Sequence, residues 1–484
     1  MKVAVVNPPF MDGRFSRTSR SPAIVKSGTM YWPFWLAYSV GSLERSGHDV
    51  QFFDCPAENI TKKKLMDKLK TASPAMIVLD TSTPSIHSDL SISREIRELL
   101  PLSSIFLVGT HVSALPEEVL LSAPHITGIA AGEYDLTVPA IADAFQNGED
   151  IRQVPGVWLN SEGKPFFTGE RELLADLDSL PMLADVYRKH LKPENYFFAA
   201  ARYPSVMLIT SRGCPFKCSF CLWPQVLHGG TYRSRSPQNV AEEFLKVQKY
   251  FPQVQEIVFE DDTFSVDSRR VEEVSDALIA AGSKLPWTAN TRATLSLKAM
   301  KKMRRAGCRM IIVGYESGNQ EILNRVSKGT TVEQNLAFAK RARQAGLLVH
   351  GCFMAGNPGE TAETLAETLR MAISLKPDTA QFFPIMAYPG TRLYEEYRSS
   401  GMLRTEDYRE WLTGEGLHNC VVDLPGLSAE DLVNWCGEAR RKFYLRPQYL
   451  FYKALQTVLH PFTEGRRTIR AFSTFRKHLF RKNK

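Results

Sequence analysis

The sequence predicts an α/β protein with a flavodoxin-like, doubly wound N-terminal domain, an open (β/α)6 partial TIM barrel and a C-terminal helical region. Apolar strands alternate with helical segments over residues 1–145, and the same alternation resumes over residues 205–400. Lysine and arginine are concentrated after residue 440. A chain of 484 residues is too long for one ordinary hydrophobic core, so several domains are expected.

The N-terminal region, residues 1–145, has the strand–helix spacing of a parallel sheet. In such sheets ligands bind beyond the carboxyl ends of the strands. No G-x-G-x-x-G sequence follows the first strand, so a dinucleotide is not the expected ligand. The predicted strands are 2–7, 49–54, 75–80, 104–109 and 126–132, and the predicted helices are 32–47, 61–72 and 87–100.

Residues 146–204 are predicted to be a connector that contains a hairpin with its turn at residues 160–163. Residues 205–400 are predicted to form the barrel, whose active site would lie at the C-terminal ends of its strands. Residues 401–484 form the C-terminal region. The predicted barrel strands are 205–210, 256–261, 286–292, 309–317, 348–356 and 379–386, and helices include 237–250, 268–282 and 361–375.

The net charge of +8 comes from the C-terminal end of the chain. Residues 440–484 carry 13 Lys or Arg and one acid, whereas residues 1–439 carry 47 basic and 51 acidic residues. Because no basic stripe covers the rest of the chain, a nucleic-acid partner is not expected. The first residues are too short an apolar run for a signal peptide, and no stretch is long enough to span a bilayer. Five cysteines scattered singly predict a reducing, cytoplasmic location.

The remaining three cysteines are clustered as C-x3-C-x2-C, at Cys214, Cys218 and Cys221, just after the first predicted barrel strand. Three thiolates on one loop suit a 4Fe–4S cluster in which one iron has no protein sulfur ligand. The alternative is a zinc site completed by a distant ligand such as His228.

The cysteine motif and the later strand ends resemble the radical SAM superfamily. The supporting stretches are FEDDTF (259–264), NTRA (290–293), VGYESG (313–318), GNPGET (356–361) and YPGTRLY (388–394). The resemblance implies that the open iron binds S-adenosylmethionine, whose reductive cleavage yields a 5′-deoxyadenosyl radical. It also implies an external one-electron reductant of the flavodoxin or ferredoxin type.

The same resemblance implies contacts for S-adenosylmethionine. One or more of Glu260, Asp261 and Asp262 would accept hydrogen bonds from its ammonium group, and Arg292 would bind its carboxylate. Glu316 would contact the ribose hydroxyls or the amino group, and Gly356 with Pro358 would admit the adenine or ribose. The structural alternatives are a helix cap for an aspartate, an ion pair for Arg292 and a solvated Glu316.

The N-terminal loops resemble the cobalamin-binding domain that precedes the barrel in one radical SAM subfamily. The matching stretches are TSTP (81–84), GTHVSALPEEVL (109–120) and AGEYDLT (131–137). The D-x-H-x-x-G sequence that supplies an axial histidine in many cobalamin mutases is absent, so His111 is expected to face the loop or a phosphate. The resemblance implies that cobalamin contacts Thr81, Ser82, Thr83, Gly109, His111, Gly132 and Glu133.

These cofactors imply an enzyme that transfers a methyl group to an unactivated carbon of a small-molecule or lipid substrate. The alternative is radical cyclisation, ring contraction or oxidation of a lipid, tetrapyrrole or secondary metabolite. A non-catalytic cobalamin sensor is a different class, and the three-cysteine loop argues against it. Methylthiolation is disfavoured because the sequence has no second cysteine cluster.

The C-terminal tail mixes Tyr444, Tyr449, Phe451 and Tyr452 with lysine and arginine. One interpretation is a helical pair packed against the barrel with a solvated basic end. The other is peripheral contact with an anionic membrane, because adjoining apolar and basic faces favour the interface.

Overall fold

The computed structural model describes residues 1–11, 14–161, 163–470 and 472. Glu162, in the predicted hairpin turn, lies outside the described residues. The fold consists of two large sheets with helices packed on them, a two-stranded ribbon between the sheets and a helical C-terminal region. The predicted fold class is confirmed.

The first sheet has the strand order β2-β1-β3-β4-β5-β6-β7. Strands β1 to β5 are parallel, and β6 and β7 add an antiparallel hairpin at one edge. The predicted connector hairpin is therefore part of this sheet. The strands are β1 (Lys2–Asn7), β2 (Asp49–Asp54), β3 (Met76–Thr81), β4 (Ser104–Gly109), β5 (Gly128–Ala130), β6 (Val157–Ser161) and β7 (Lys164–Phe167).

The central strands of this sheet are continuous apolar runs because both of their faces are buried. Strand β3 has the pattern MIVLDT with every residue buried, as expected for a parallel sheet covered by helices on both sides. The helices are α1 (Phe34–Arg45), α2 (Cys55–Glu58), α3 (Lys62–Ala72), α4 (Ile86–Leu99), α5 (Thr110–Ala114), α6 (Pro116–Ser122), α7 (Thr137–Asn147) and α8 (Leu183–His190).

The second large sheet is fully parallel, with the order β15-β14-β13-β12-β11-β8, so β8 and β15 are its two edges. This is the predicted open six-stranded barrel. The strands are β8 (Ser205–Leu208), β11 (Glu256–Phe259), β12 (Trp287–Thr291), β13 (Cys308–Glu316), β14 (Leu348–Ala355) and β15 (Thr379–Pro384), and the separate ribbon pairs β9 (Ser211–Arg212) with β10 (Arg233–Ser234).

The barrel helices begin at polar caps that the sequence supplies. Ser236 accepts a hydrogen bond from the backbone N–H of Asn239 and is followed by Pro237 at the first helical turn, which is a favourable N-terminus. Thr331 and Thr361 form capping boxes. The helices are α9 (Pro237–Tyr250), α10 (Ser268–Ala280), α11 (Leu297–Arg305), α12 (Gln320–Arg325), α13 (Val332–Gln344), α14 (Ala362–Leu375) and α15 (Arg392–Ser399).

The C-terminal region contributes α16 (Ala429–Tyr444) and α17 (Pro447–Leu459). Helix α16 packs against β15, where the ring centres of Phe443 and Phe382 lie 6.0 Å apart. The turn after α17 returns to the barrel, and Glu464 forms an ion pair with Arg309 at 3.2 Å. Within the described part of the chain, no helix is both long and apolar enough to cross a membrane.

Candidate active site

The three clustered cysteines lie on a tight loop at the C-terminal end of β8. Gly213 precedes them with a φ of 80°, and a Cβ there would come within 2.0 Å of the carbonyl oxygen of Thr231. Only glycine fits this close approach. Cys214 and Cys218 are buried and Cys221 is half-buried. The loop is thus held in a dry position at the mouth of the barrel.

Gln225 holds the backbone of this loop. Its side-chain amide donates hydrogen bonds to the carbonyl oxygens of Cys218 at 3.3 Å, Ser219 at 3.1 Å and Cys221 at 2.7 Å. Its own oxygen accepts a hydrogen bond from the backbone N–H of Arg392 at 3.0 Å. One side chain therefore fixes the carbonyls between two of the thiols, a role that the sequence did not reveal.

Two arginines lie beside the thiols. Arg292 places Nη1 3.7 Å from the sulfur of Cys218, and its guanidinium lies 3.7 Å from the ring centre of Phe216. Burial raises the pKa of the Cys214 and Cys221 thiols, and the charges of Arg292 and of Arg20 oppose that rise. The cations favour the thiolate form that binds iron.

Arg20 was not predicted from the sequence. It belongs to the N-terminal segment before α1 and reaches across to the barrel, where its guanidinium lies 4.3 Å from the ring centre of Trp223. Its Nε is 3.4 Å from Glu260, and it donates to the carbonyl oxygen of Asp261. The N-terminal segment thus covers one side of the cysteine loop.

The acidic residues after β11 have different hydrogen-bond partners. Asp261 is fully engaged, because its two oxygens accept hydrogen bonds from the backbone and hydroxyl of Thr210 and from the hydroxyl of Ser211, all at 2.6 Å. Asp262 accepts from the backbone N–H of Gly213 at 2.8 Å and pairs with His228 at 2.8 Å.

The charge of Asp262 is stabilised by its neighbours. Although burial acts in the opposite direction, His228 and Arg20 hold the pKa of Asp262 below its ordinary value. His228, the predicted alternative zinc ligand, is thus paired with a carboxylate. Over the described ranges, no group of three or more His, Cys, Asp or Glu side chains is arranged to hold a single metal ion.

Glu316 lies at the end of β13 in an unusual backbone conformation. Its φ is 61°, and the pairing of β13 with β14 shifts register at this point. Its carboxylate pairs with Lys328 at 2.8 Å, and both side chains are buried. Left-handed backbone is costly for a residue other than glycine, and it commonly occurs at functional sites. Lys328 was not predicted.

Gly356 and Pro358 follow β14 and are both buried. Gly356 has a φ of 102°, and a Cβ there would lie 2.8 Å from the side chain of Ile385. The backbone N–H groups of Gly356 and Asn357 donate to Glu360, and burial raises the pKa of Glu360 to about 7. The side chain of Glu360 therefore holds this turn in place. Glu360 was not predicted from the sequence.

Three buried polar atoms near the thiols have no hydrogen-bond partner among the described residues. They are Oε2 of Glu260, Oδ1 of Asp262 and Nε of Arg292. An unsatisfied buried polar atom is costly and calls for a ligand or water. Two acceptors and one donor suit the ammonium and carboxylate groups of an amino acid, so the donor set fits S-adenosylmethionine beside three cluster-binding thiols.

The predicted cobalamin loops converge at the C-terminal ends of β3, β4 and β5. Gly109 has a φ of 110°, and a Cβ there would lie 2.3 Å from the carbonyl oxygen of Thr81. Thr81 donates to the carbonyl of Val108 at 2.8 Å, and Ser113 accepts from the N–H of Gly132 at 3.0 Å. Ligands of doubly wound sheets bind beyond such strand ends, so this edge of the sheet is the expected position of the cobalamin.

Ser82 and Thr83 form the first turn after β3. Ser82 exchanges a hydrogen bond with Ser85 at 2.8 Å, and Thr83 contacts Nδ1 of His111 at 3.2 Å. Burial lowers the pKa of His111 to about 3, so its imidazole is neutral. His111 and Tyr408 also line a cavity of about 350 Å³.

The two sheets meet through buried ion pairs. Arg212, on the ribbon after β8, binds both oxygens of Asp135 at 2.6 and 3.0 Å, and Arg233 pairs with Glu133. Both acids follow β5. The C-terminal strand ends of the two sheets therefore border one interface, and the predicted cobalamin contact Glu133 is engaged in holding it together.

Comparisons with known proteins agree with this architecture. Residues 20–142 match the B12 binding domain, and residues 208–372 match the Radical SAM superfamily. The chain is 30% identical over 451 residues to an uncharacterized methyltransferase of Pyrococcus horikoshii, covering 93% of this chain and 94% of that protein. It is 27% identical to the anaerobic magnesium-protoporphyrin IX monomethyl ester cyclase of Cereibacter sphaeroides, over 93% of this chain and 72% of the cyclase.

A solved structure has the same fold. The radical S-adenosylmethionine methyltransferase TsrM of Kitasatospora setae, with cobalamin and a 4Fe–4S cluster bound, superimposes with a TM-score of 0.71 at 16% identity, covering 92% of this chain and 89% of TsrM. The chain therefore belongs to the radical SAM superfamily, in the group with a cobalamin-binding domain before the barrel, and its cofactors are a 4Fe–4S cluster, S-adenosylmethionine and cobalamin.

Proposed function

We propose that this enzyme transfers a methyl group from S-adenosylmethionine to an unactivated carbon of a small-molecule substrate. The observation that carries the proposal is the similarity to a methyltransferase over nearly the full length of both chains. When bound, S-adenosylmethionine and the reduced cluster supply the radical that removes hydrogen, and cobalamin supplies the methyl group. An external one-electron donor of the flavodoxin or ferredoxin type provides the electron.

The chain's own residues bind and orient these groups. We assign Cys214, Cys218 and Cys221 as cluster ligands. Glu260 and Asp262 are assigned to the ammonium group because each keeps one buried oxygen without a hydrogen-bond partner among the described residues, whereas both oxygens of Asp261 accept hydrogen bonds.

Further contacts complete the S-adenosylmethionine site. Arg292 is assigned to the carboxylate, since its Nε is buried without a hydrogen-bond partner among the described residues. Glu316, held by Lys328, is assigned to the ribose hydroxyls. Gly356 and Pro358 are assigned to the wall beside the adenine.

We assign the strand-end loops of the first sheet to cobalamin, through Thr81, Ser82, Thr83, Gly109, His111, Gly132 and Glu133. Neutral His111 is assigned as a hydrogen-bond donor or acceptor in the loop. For the domain division we propose 1–145, 146–204, 205–400 and 401–484, with the β6–β7 hairpin of the connector completing the first sheet.

Radical cyclisation is the second candidate, because the chain is also similar to a magnesium-protoporphyrin ester cyclase. The two reactions differ in their use of S-adenosylmethionine. Methyl transfer consumes one molecule as methyl donor and a second as radical source, whereas cyclisation has no need of the first.

The test uses the anaerobically reconstituted enzyme with S-adenosylmethionine carrying a deuterated methyl group and a small-molecule extract as the substrate source. Methyl transfer predicts equal amounts of S-adenosylhomocysteine and 5′-deoxyadenosine, together with a product that bears the deuterated methyl group. A product without label, formed with 5′-deoxyadenosine but no S-adenosylhomocysteine, would refute the proposal in favour of cyclisation. The Cys218→Ala enzyme serves as the control and gives the background amounts of S-adenosylhomocysteine and 5′-deoxyadenosine.

We further propose that the C-terminal region contacts an anionic membrane surface. Helix α17 and the residues after it expose a ridge of large apolar side chains, which we call the apolar ridge: Leu450, Phe451, Leu455, Val458, Leu459, Phe462, Ile469 and Phe472. Residues 440–484 carry 13 basic residues and one acid. An exposed apolar surface bordered by positive charge suits the headgroup boundary of an anionic bilayer.

Replacing Leu459 and Phe462 together by glutamine is expected to weaken binding to phosphatidylglycerol-containing vesicles about tenfold or more, because two large apolar groups contribute roughly 3 kcal/mol when buried. The measurement is vesicle co-sedimentation of the full-length holoenzyme. The matched control is Leu102→Gln with Leu121→Gln, two exposed leucines of the first domain. Equal loss in both double variants, or no binding by the unmodified enzyme, would contradict the proposal.

A further inference from the structure

A second cavity lies at the opposite end of the barrel from the cysteine loop. It has a volume of about 570 Å³ and lies at the N-terminal ends of β8, β12, β13 and β14, with the end of α17 and the following turn forming one wall. Its ionisable lining residues are Arg202, Lys284, Arg304, Arg309, His460 and Glu464. We call this cavity the basal cleft. It shares no residue with the site assigned to the radical chemistry.

The single carboxylate that lines the basal cleft is already neutralised. Glu464 pairs with Arg309 at 3.2 Å, Arg202 at 3.3 Å and Arg467 at 2.9 Å. Although burial acts in the opposite direction, these arginines hold its pKa at about 2. The negative charge of Glu464 is therefore already paired with these arginines and does not compensate the other cations of the cleft.

Lys284 and Arg304 contribute two further cations to the lining of the basal cleft. Lys284 and Arg304 form no ion pair with a carboxylate in the described part of the chain, and both are exposed to solvent at the mouth. Deeper in, Nε of Arg202 is buried without a hydrogen-bond partner among the described residues. Arg309 is also paired with Glu256 at 2.8 Å. The positive charge that remains without a carboxylate partner in the described part of the cleft is therefore that of Lys284 and Arg304.

Two further cations, Lys453 and Arg467, lie at the wall formed by α17 and the following turn. Lys453 is buried, donates to Gln456 of the cleft lining at 2.8 Å and lies near Arg467. Burial and the charge of Arg467 lower the pKa of Lys453 to about 8, although the carboxylates of Asp378 and Glu464 act in the opposite direction. A bound anion would relieve this repulsion.

From this geometry we infer that the basal cleft binds a phosphate group. Arginine and lysine donors around a concave, partly dry site are the usual means of holding phosphate oxygens. The volume admits a group larger than phosphate alone. His460 and Thr463 line the cleft on the same turn that exposes Phe462 of the apolar ridge. The phosphate therefore belongs either to a lipid headgroup or to a free phosphate compound.

The test measures binding of inorganic phosphate to the full-length holoenzyme by titration calorimetry. Lys284→Gln with Arg304→Gln is expected to lower the affinity about tenfold or more, because both removed groups would donate charge-assisted hydrogen bonds. The matched control is Lys301→Gln with Arg305→Gln, which removes the same charge from exposed positions outside the cleft. No saturable phosphate binding by the unmodified enzyme, or equal loss in both double variants, overturns the inference.

Vesicle binding distinguishes the two sources of phosphate. With a lipid headgroup, Lys284→Gln with Arg304→Gln also weakens binding to phosphatidylglycerol-containing vesicles more than the control does, and inorganic phosphate competes with the vesicles. With a free phosphate compound, vesicle binding equals that of the control while phosphate affinity still falls. Both outcomes support a phosphate site in the basal cleft. Neither readout depends on methyl transfer, so failure of the proposed reaction leaves this result interpretable.

Discussion

Replacing Cys218 by alanine is expected to abolish 5′-deoxyadenosine formation while leaving cobalamin bound. Cys218 is buried, its carbonyl oxygen is fixed by Gln225, and its sulfur lies 3.7 Å from Arg292. No other cysteine of the loop can replace it without rearranging that backbone. With a cluster ligand lost, the site cannot hold the iron to which S-adenosylmethionine binds. Loss of activity should exceed about a thousandfold, equivalent to about 4 kcal/mol.

Iron, sulfide and cobalt per chain are measured beside the nucleoside product. The expected result is a large fall in iron and sulfide with cobalt unchanged, because the cobalamin loops belong to the first sheet. The control is Cys308→Ala, which removes a buried thiol at the first residue of β13, far from the loop along the barrel. Undiminished 5′-deoxyadenosine formation by Cys218→Ala would refute the assignment of this cysteine.

The strands were predictable because each is a short apolar run bounded by polar or small residues. Predicted strand 49–54 is β2 as observed, and predicted strand 348–356 ends one residue beyond β14. Parallel strands in a covered sheet need such runs, so the pattern alone locates them. The loops at their carboxyl ends then follow from the topology, which is why the strand-end site residues could be named from the sequence.

The partners of those residues could not be predicted, because they come from distant parts of the chain. Arg20 contacts Glu260 across 240 residues of sequence, and no periodicity marks the segment in which it lies. Lys328 reaches Glu316 only because β13 is followed by a helix that returns to the barrel mouth. The tertiary fold, and not a local pattern, brings these groups together.

The acidic stretch after β11 is a second case in which the sequence does not reveal the hydrogen-bond partners of a side chain. The sequence contains three neighbouring carboxylates, Glu260, Asp261 and Asp262, and from the sequence each of them could bind an ammonium group. Only the structure shows that Asp261 accepts hydrogen bonds from Thr210 and Ser211 with both oxygens. Glu260 and Asp262 each keep one oxygen without a hydrogen-bond partner among the described residues. Whether a polar atom has a hydrogen-bond partner depends on its neighbours in space. The amino-acid sequence alone therefore does not indicate which of the three carboxylates is free to bind a ligand.

Arg212→Met is expected to lower the free energy of unfolding of the holoenzyme by about 3–5 kcal/mol, the usual cost of removing one member of a buried ion pair. The Arg212 side chain is 1% exposed, and it lies 2.6 Å from Asp135 and 3.4 Å from Glu133. Its guanidinium also lies 5.0 Å from the ring centre of Trp35 and 4.7 Å from that of Tyr38. Without Arg212, Asp135 would be a buried carboxylate with no cation.

The measurement is urea unfolding of the holoenzyme followed by tryptophan fluorescence, with Arg269→Met as the control. Arg269 forms an exposed pair with Glu273 on α10, and such pairs contribute only about 0.3–0.5 kcal/mol. Adding Asp135→Asn to Arg212→Met should recover part of the loss, because the amide carries no uncompensated charge. Such a recovery would show that the loss of unfolding free energy arises from the Asp135 carboxylate, which is left without a cation between the two sheets. Equal stability of the single and double variants would instead assign the loss to packing against Trp35 and Tyr38.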